Sequence, residues 1–220
     1  MKDKGLYIVF AAVLIAILLS VPAKSFGSSV LVSHAPIFIG NNSSFTPANG
    51  VTSGSGTQNN PYIIENWEID AGSGTGIQIS STSVYFILRN CKVTNGQWGI
   101  SLSSVSNGTI TGNQCFDYTE AGIYLYSSSN NKVTNNTCSW TKIYSVVDKQ
   151  WYDASVAWVY SQAYDDWSGG INTYGIDLSG TSQNNLIDGN TCMNNVSCGI
   201  HNGWDSSTVH TDYNTISNNY

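Results

Sequence analysis

The feature that most constrains this chain is a short glycine-led motif that recurs at nearly constant spacing. The motif reads GIQIS, GISLS, GIYLY, GIDLS and GIHNG, and its glycines are Gly76, Gly99, Gly122, Gly175 and Gly199. The first three glycines are 23 residues apart and the last two are 24 apart. Self-similarity at a period of a few tens of residues is typical of solenoids, in which each repeat buries its apolar face against its neighbours.

Within each repeat, the glycine is followed by alternating apolar residues, such as Ile100 and Leu102. This alternation predicts a short strand with one buried face. A second apolar position follows after a polar turn, and in four repeats a cysteine stands five residues beyond it; the pairs are Phe86 and Cys91, Ile110 and Cys115, Val133 and Cys138, and Ile187 and Cys192. The constant step predicts equivalent positions and one inward row of buried thiols.

An asparagine also recurs, three residues after the second apolar position. The asparagines at this step are Asn113, Asn136, Asn190 and Asn219. In the first repeat the asparagine is shifted by one residue, to Asn90. Because asparagine tolerates a left-handed backbone and bonds neighbouring backbone groups, these residues are predicted to form a tight corner of each coil.

The G-I-x-L and N-x-[TC] repeats resemble those of the large class of parallel β-helix proteins, which includes the NosD-like copper-associated proteins and many archaeal surface proteins. The resemblance covers residues 38–220. It implies an all-β, right-handed, single-stranded parallel β-helix, a solenoid with about 23 residues per coil and five to six coils. It is specific for fold only, because members of this class include lyases, hydrolases, binding proteins and inert stalks.

The N-terminus predicts export. Lys2 and Lys4 precede an uncharged apolar run from Leu6 to Val21, so residues 1–27 are interpreted as a signal peptide, with an uncleaved N-terminal anchor as the alternative. Residues 28–60 are interpreted as an N-terminal capping segment and residues 61–220 as the β-helix. Because the sequence stops inside an asparagine corner with no polar cap, we expect the β-helix to be truncated at its C-terminus.

Composition and sequons indicate which kinds of binding partner and which cellular location to expect. Charged residues make up 10% of the chain, its net charge is −6, and no basic block is present, which argues against a nucleic-acid partner. Membrane contact is expected only through an uncleaved N-terminal segment. Five N-x-[ST] sequons, candidate glycosylation sites, favour an extracellular or cell-surface location; they begin at Asn41, Asn42, Asn107, Asn135 and Asn195.

One insertion interrupts the repeat, at residues 141–170. Seven of its 30 residues are aromatic, against 19 of the other 190. Insertions in solenoids tend to pack over a lateral face, and aromatic faces beside carboxylates suit sugar rings. The candidate ligand-binding residues are Trp151, Tyr152, Trp158, Tyr160, Tyr164 and Trp167. The alternative is that these aromatics form a small core of the insertion, around a helix at residues 150–163.

Catalysis has weaker support in the sequence. Glycoside hydrolysis requires paired carboxylates, and Asp165 and Asp166 are the candidates, with Asp153 or Asp177 nearby. The companion motifs of polygalacturonase-like β-helices are absent, and the single arginine, Arg89, and few lysines give little basis for lyase chemistry. Whether the protein is an enzyme stays open, and the balance is against it.

No cofactor is expected, although two metals are conceivable. Copper would suit the soft and imidazole ligands of the last two coils, Cys192, Met193, Cys198, His201 and His210. Calcium would use carboxylates, and the candidates are Asp165, Asp166, Asp177 and Asp188. Cys192 and Cys198 also close a short loop and form the one candidate disulfide.

Three functions follow from these observations. The first is an exported structural or glycan-binding module that contacts polysaccharide or cell-envelope glycan through the insertion. The second is a polysaccharide-degrading hydrolase or lyase. The third is a NosD-like copper-associated protein.

Overall fold

The computed structural model describes residues 30–139, 174–193, 195, 198–203 and 213–220, and the backbone alone of residues 142–145 and 150–153. The chain divides into two compact units, Met1–Val30 and Leu31–Tyr220. The first unit, which carries the predicted signal peptide, lies outside the described residues except for Val30.

Three sheets form the walls of a solenoid, and we number their strands in chain order. Sheet 1 contains β2 (Ile37–Ile39), β6 (Thr75–Thr82), β9 (Trp98–Val105), β12 (Ala121–Tyr126), β17 (Tyr174–Ser179) and β20 (Cys198–Asn202). Sheet 2 contains β3 (Val51–Ser53), β4 (Tyr62–Glu65), β7 (Phe86–Arg89), β10 (Gly108–Thr111), β13 (Lys132–Thr134), β18 (Leu186–Asp188) and β21 (Thr215–Ser217). Sheet 3 contains β1 (Val32–Ser33), β5 (Trp67–Asp70), β8 (Lys92–Thr94), β11 (Gln114–Phe116), β14 (Thr137–Ser139) and β19 (Thr191–Met193).

The chain visits sheets 1, 2 and 3 in turn, so each circuit is one coil of a parallel β-helix. Pairing within the three sheets is parallel throughout the described strands, except that β3 runs antiparallel to β4. Two short 3-10 turns, at Asn42–Ser44 and Pro47–Asn49, lie between β2 and β3. Because β1 and β2 pair in parallel with β5 and β6, sheets 1 and 3 extend N-terminal of residue 61, where the sequence predicts the β-helix to begin.

The core is a column of side chains that point inward from the three sheets. Stacked isoleucines and leucines fill the positions of sheet 1 that follow four of the five motif glycines, such as Ile123 and Leu125, both fully buried. Sheet 2 contributes one inward row, which is Ile64, Leu88, Ile110, Val133 and Ile187. Burial of these apolar rows between coils is what holds the solenoid together, since a single coil has no core of its own.

The motif glycines are required because sheets 1 and 3 approach each other closely where each sheet 1 strand begins. A Cβ atom on Gly122 would lie 2.8 Å from both Cβ and Sγ of Cys138 and 2.9 Å from the carbonyl oxygen of Gly175. A Cβ on Gly99 would lie 2.6 Å from the carbonyl oxygen of Gly122. The backbone of Gly99 and Gly122 is not left-handed, so close packing selects glycine here.

The recurrent asparagines form a buried ladder at the corner between sheets 2 and 3. In Asn136, Oδ1 accepts from the backbone N–H of Asn113 at 2.9 Å and from its Nδ2 at 3.0 Å, while Nδ2 donates to the carbonyl of Ile110 at 2.9 Å. The same contacts join Asn136 to Asn190 and Asn190 to Asn219. A second ladder of this kind, at the corner between sheets 1 and 2, contains Asn131, Asn185 and Asn214.

The left-handed backbone predicted for the ladder asparagines belongs instead to the residue before each of them. Those residues are Gly112, Asn135, Gly189 and Asn218, with φ of 64, 55, 65 and 50°. The corner therefore needs two residues, one that takes positive φ and one whose amide bonds the backbone of the neighbouring coil.

In the coil that contains Gly76, the register of the strands differs from the predicted one. Cys115 pairs with Val93 and Ile110 pairs with Leu88, so Leu88 and Val93 occupy the positions predicted for Phe86 and Cys91. Cys91 takes the ladder position instead, and its N–H donates to Oδ1 of Asn113 at 3.0 Å. The predicted equivalence of Cys91 with the other cysteines is therefore wrong, whereas Cys115, Cys138 and Cys192 do stack in register.

Candidate functional site

The outward face of sheet 1 carries a cluster of aromatic and ionisable side chains, which we call the aromatic strip. Its members are Trp98, Tyr124, Tyr126, Tyr174, Asp177 and His201, contributed by four successive strands of the sheet. They alternate with, or precede, the buried residues of the G-I motif, so the pleat directs them away from the core. Because β9, β12, β17 and β20 pair in parallel, the strip runs along the axis of the solenoid.

The rings of the strip stack on one another across the strands. Trp98 and Tyr124 have centroids 5.3 Å apart and planes 9° apart, and Tyr126 lies 6.3 Å from Tyr124 at 29°. Tyr174 covers the imidazole of His201 at 4.8 Å and 22°. Stacked rings are fixed in orientation by their neighbours, and Tyr126, at 47% exposure, is the ring most open to solvent in this part of the face.

A carboxylate and an imidazole are paired within the strip. Asp177 and His201 occupy partner positions of β17 and β20, and Nδ1 of His201 donates to Oδ1 of Asp177 at 2.8 Å. Ser179 donates to the same oxygen at 3.2 Å. Burial, followed by the nearby charge of Asp177, raises the pKa of the Tyr124 phenol. At the edge of the strip, Glu120 accepts from Nε2 of Gln97 at 2.6 Å.

The strip is a site that the sequence did not predict. Its aromatics are distributed one or two to a coil, so no window of the chain is enriched in them, and they converge only when the coils stack. A signal was present, since Trp98, Tyr124, Tyr126 and Tyr174 all flank or follow motif glycines. Aligning the coils on those glycines would have placed them on one outward face.

The predicted insertion connects sheet 3 to sheet 1 and lies mostly outside the described residues. The chain leaves sheet 3 after Ser139 and returns to sheet 1 at Tyr174, a member of the strip. Between them, the backbone of β15 (Lys142–Ser145) and β16 (Gln150–Asp153) forms an antiparallel hairpin. The alternative of a helix beginning at residue 150 is therefore wrong for its first four residues.

The proposed contacts of the insertion stay predictions. Trp151 and Tyr152 lie in β16, whose side chains are not described. Outside the described residues lie Trp158, Tyr160, Tyr164 and Trp167, and with them Asp165 and Asp166, the candidate catalytic pair.

The candidate metal ligands are dispersed among different walls of the solenoid. Met193 lies in sheet 3, His201 lies in sheet 1 with Asp177, and His210 is outside the described residues. Asp188, in sheet 2, accepts from Ser217 and Asn218 at 2.7 and 2.8 Å. Within the described part of the chain, no three His, Cys, Asp or Glu side chains are close enough to hold a metal ion together.

Three of the five thiols, those of Cys115, Cys138 and Cys192, form an inward row, and all five are unbridged. Hydrogen bonds with the thiols of Cys115 and Cys192, together with burial, raise the pKa of Cys138 well above its ordinary value. Cys192 continues this row from sheet 3, whereas Cys198 begins β20 of sheet 1, and both are free thiols. The disulfide predicted between Cys192 and Cys198 stays a prediction, and in the structure Cys192 is hydrogen-bonded with Cys138.

Three of the five sequon asparagines are exposed residues, and the other two are partly buried. Asn41 and Asn135 are exposed residues, while the amide of Asn107 donates to the carbonyl of Ser83 at 2.8 Å. Nδ2 of Asn195 is buried and has no hydrogen-bond partner among the described residues, and Oδ1 of Asn195 accepts from Tyr118. Asn195 is therefore a poor glycosylation acceptor, because Nδ2 is the atom that is modified. Asn42, also exposed, accepts from Thr82 through Oδ1 at 2.6 Å.

Comparison with protein families gives one finding. The profile described as "right handed beta helix region" matches residues 28–220, nearly the whole chain. The protein belongs to this right-handed β-helix family. Searches of curated proteins and of solved structures give no match. In the described part of this β-helix protein, no helix is long and apolar enough to cross a membrane.

Proposed function

We propose that this β-helix protein is an exported module that binds glycan through the aromatic strip of sheet 1, with the insertion alongside. The observation that carries the proposal is the stack of Trp98, Tyr124 and Tyr126 next to Asp177 on an outward sheet face. Export is inferred from the charged and then apolar character of residues 1–27 and from the exposed sequons.

The strip offers both kinds of contact that sugar rings use. The exposed ring of Tyr126 can take the C–H face of a sugar, and burial of that apolar face favours binding. Asp177 and Ser179 lie at the partner positions next to Tyr124 and Tyr126 and can bond hydroxyl groups. The two described side-chain hydrogen bonds of Asp177 are both accepted by Oδ1, and its side chain keeps 13% exposure.

The shape of the face favours an extended chain over a single sugar. The strip spans four strands, which are spaced by roughly 4.8 Å in a parallel sheet. Its length along the axis is therefore about 14 Å, enough for contact with more than one sugar unit. A flat, open face of this kind suits a polysaccharide better than it suits a small molecule, which needs a concave pocket.

A glycan array on the secreted protein tests this proposal. Wild type is compared with a Trp98→Ala, Tyr126→Ala double variant and with Tyr220→Ala, a control because Tyr220 is 82% exposed and lies beside Cys192 of sheet 3, away from the strip. The double variant should lose roughly tenfold in affinity, at about 0.5–1.5 kcal/mol per aromatic contact. The Tyr220 variant should bind as wild type does.

Two results would reject the proposal. One is the absence of any glycan bound by the wild type. The other is equal binding by wild type and the double variant, provided that both have the same circular dichroism spectrum. A further double variant, Trp151→Ala with Trp167→Ala, measures the share of binding that belongs to the insertion.

A further inference from the structure

The aromatic strip is an acidic surface. None of the six strands described for sheet 1 contains Lys or Arg. Two carboxylates flank the rings: Asp177 lies within the strip, and Glu120 precedes Ala121, the first residue of β12. His201 is the one ionisable base of these strands, and its Nδ1 is already engaged by Asp177.

The charges of Asp177 and Glu120 both affect the phenol of Tyr124. Asp177 lies beside Tyr124 as its strand partner, and its charge and that of Glu120 each raise the pKa of the Tyr124 phenol, after the larger effect of burial. The described contact of Glu120 is with the neutral amide of Gln97. Tyr124 is therefore surrounded by two negative groups and two aromatic neighbours, Trp98 and Tyr126.

Aromatic rings and carboxylates together attract cations. The face of an aromatic ring is negative, so an ammonium group above it gains a cation–π interaction of about 0.5–1 kcal/mol at an exposed site. A carboxylate within several ångströms adds a Coulombic attraction that salt weakens. A sugar carboxylate at the same face would meet repulsion, because like charges placed together disfavour a partner.

Resting on the proposed function, we infer that the glycan bound by the aromatic strip carries protonated amines, as a deacetylated hexosamine polymer does. The ammonium groups lie near Tyr124 and Tyr126, between Glu120 and Asp177. The aromatic rings contact the faces of the sugar rings, and the two carboxylates attract the ammonium groups. Polymers of uronic acid are excluded by the same charges.

Calorimetry with three oligosaccharides of equal length tests this inference: a glucosamine oligomer, its fully N-acetylated form, and a uronic acid oligomer. The measurement is made at pH 6 in low salt and again in 0.5 M salt. The glucosamine oligomer should bind at least tenfold more tightly than the N-acetylated form in low salt, with the difference reduced in high salt. The uronic acid oligomer should not bind.

Two charge variants and one control refine the test. Glu120→Gln should weaken binding of the glucosamine oligomer severalfold and leave binding of the N-acetylated form unchanged, and Asp177→Asn should weaken binding of the glucosamine oligomer more than binding of the N-acetylated form. Glu68→Gln removes a carboxylate from sheet 3, where Glu68 pairs with Lys92, and should have no effect.

The outcomes separate this inference from the proposed function. Equal or tighter binding of the N-acetylated or acidic oligomer at the strip would overturn the amine preference and leave glycan binding in place. If none of the oligomers bound and the array were also blank, both proposals would fail.

Discussion

At the scale of single residues, the fold depends on polar side chains that satisfy the backbone of a neighbouring coil. Each ladder asparagine uses its amide for one backbone N–H and one backbone carbonyl of the coil before it, and all but the last of each ladder, Asn214 and Asn219, are buried. Corners are where a β-helix would otherwise leave backbone groups unpaired in its interior. Asparagine suits this position because a primary amide offers a donor and an acceptor together.

Removal of one ladder amide should be costly. In Asn136→Ala the N–H of Asn113 and the carbonyl of Ile110 lose their partners in the interior. At about 1–3 kcal/mol for each unsatisfied group, we expect the free energy of unfolding to fall by about 3 kcal/mol, measured by urea denaturation. The adjacent Asn135→Gly is the control, because Asn135 is exposed with φ 55°, and it should change stability by less than about 0.5 kcal/mol. Equal losses in the two variants would contradict the ladder.

The five thiols should differ in reactivity. Burial raises the pKa of Cys91 to about 12, and Cys115 and Cys138 are fully enclosed. Cys192 and Cys198 are partly exposed, and the hydrogen bond from Cys138 lowers the pKa of Cys192. Because the thiolate is the reactive form, alkylation of the reduced native protein at pH 8 should label Cys192 first, then Cys198, whose pKa is raised by burial, and spare the other three until unfolding.

Mass spectrometry of the alkylated peptides measures how fast each cysteine is labelled. Labelling of Cys138 as fast as Cys198 would contradict the enclosed thiol row. The same experiment without prior reduction tests the disulfide predicted between Cys192 and Cys198, since a bridge formed on export would block both sites together.

At the scale of elements, the period and alternation of the sequence predicted the strands, because a strand with one buried face needs only a two-residue pattern. The register of the first coil was not predictable in the same way. The pairs Phe86 with Cys91 and Leu88 with Val93 both satisfy the five-residue step. Only strand pairing, which places Leu88 beside Ile110, distinguishes between them.

The coil should tolerate loss of the insertion. The connection equivalent to it, between β11 and β12, has four residues, Asp117–Glu120. Replacing residues 140–173 with a four-residue Gly-Ser turn keeps the pairing of β12 with β17 and of β14 with β19. We expect an unchanged β-sheet spectrum and a free energy of unfolding within about 1–2 kcal/mol of wild type, because loop length changes closure entropy slowly.

A variant with a disrupted core shows what loss of the fold would look like in the same measurements. Ile123→Asp places a charge in the fully buried row of sheet 1 and should abolish cooperative unfolding. If the shortened protein behaved like Ile123→Asp, the insertion would be part of the core and the repeat would not be a self-sufficient coil. Glycan binding by the shortened protein would separate the strip from the insertion.

At the scale of the whole molecule, the sequence predicted the fold and did not predict the face that we propose as the site. The fold follows from short-range periodicity, which is visible directly in the sequence. The strip is a long-range property, because Trp98 and His201 join one surface only after four coils have stacked. The dense aromatics of residues 141–170 gave the stronger local signal, and the structure adds a second aromatic surface where that segment rejoins sheet 1.

Hydroxyl-radical footprinting with a saturating glycan ligand from the array tests the central claim most directly. The modification rates of Trp98 and Tyr126 should fall severalfold in the complex, because a sugar chain along the strip would shield both side chains. Tyr220, which is 82% exposed and lies beside Cys192 of sheet 3, should be modified at an unchanged rate. Unchanged modification of Trp98 and Tyr126 in the saturated complex, with protection confined to sheet 2 or sheet 3, would contradict the assignment of the aromatic strip as the binding face.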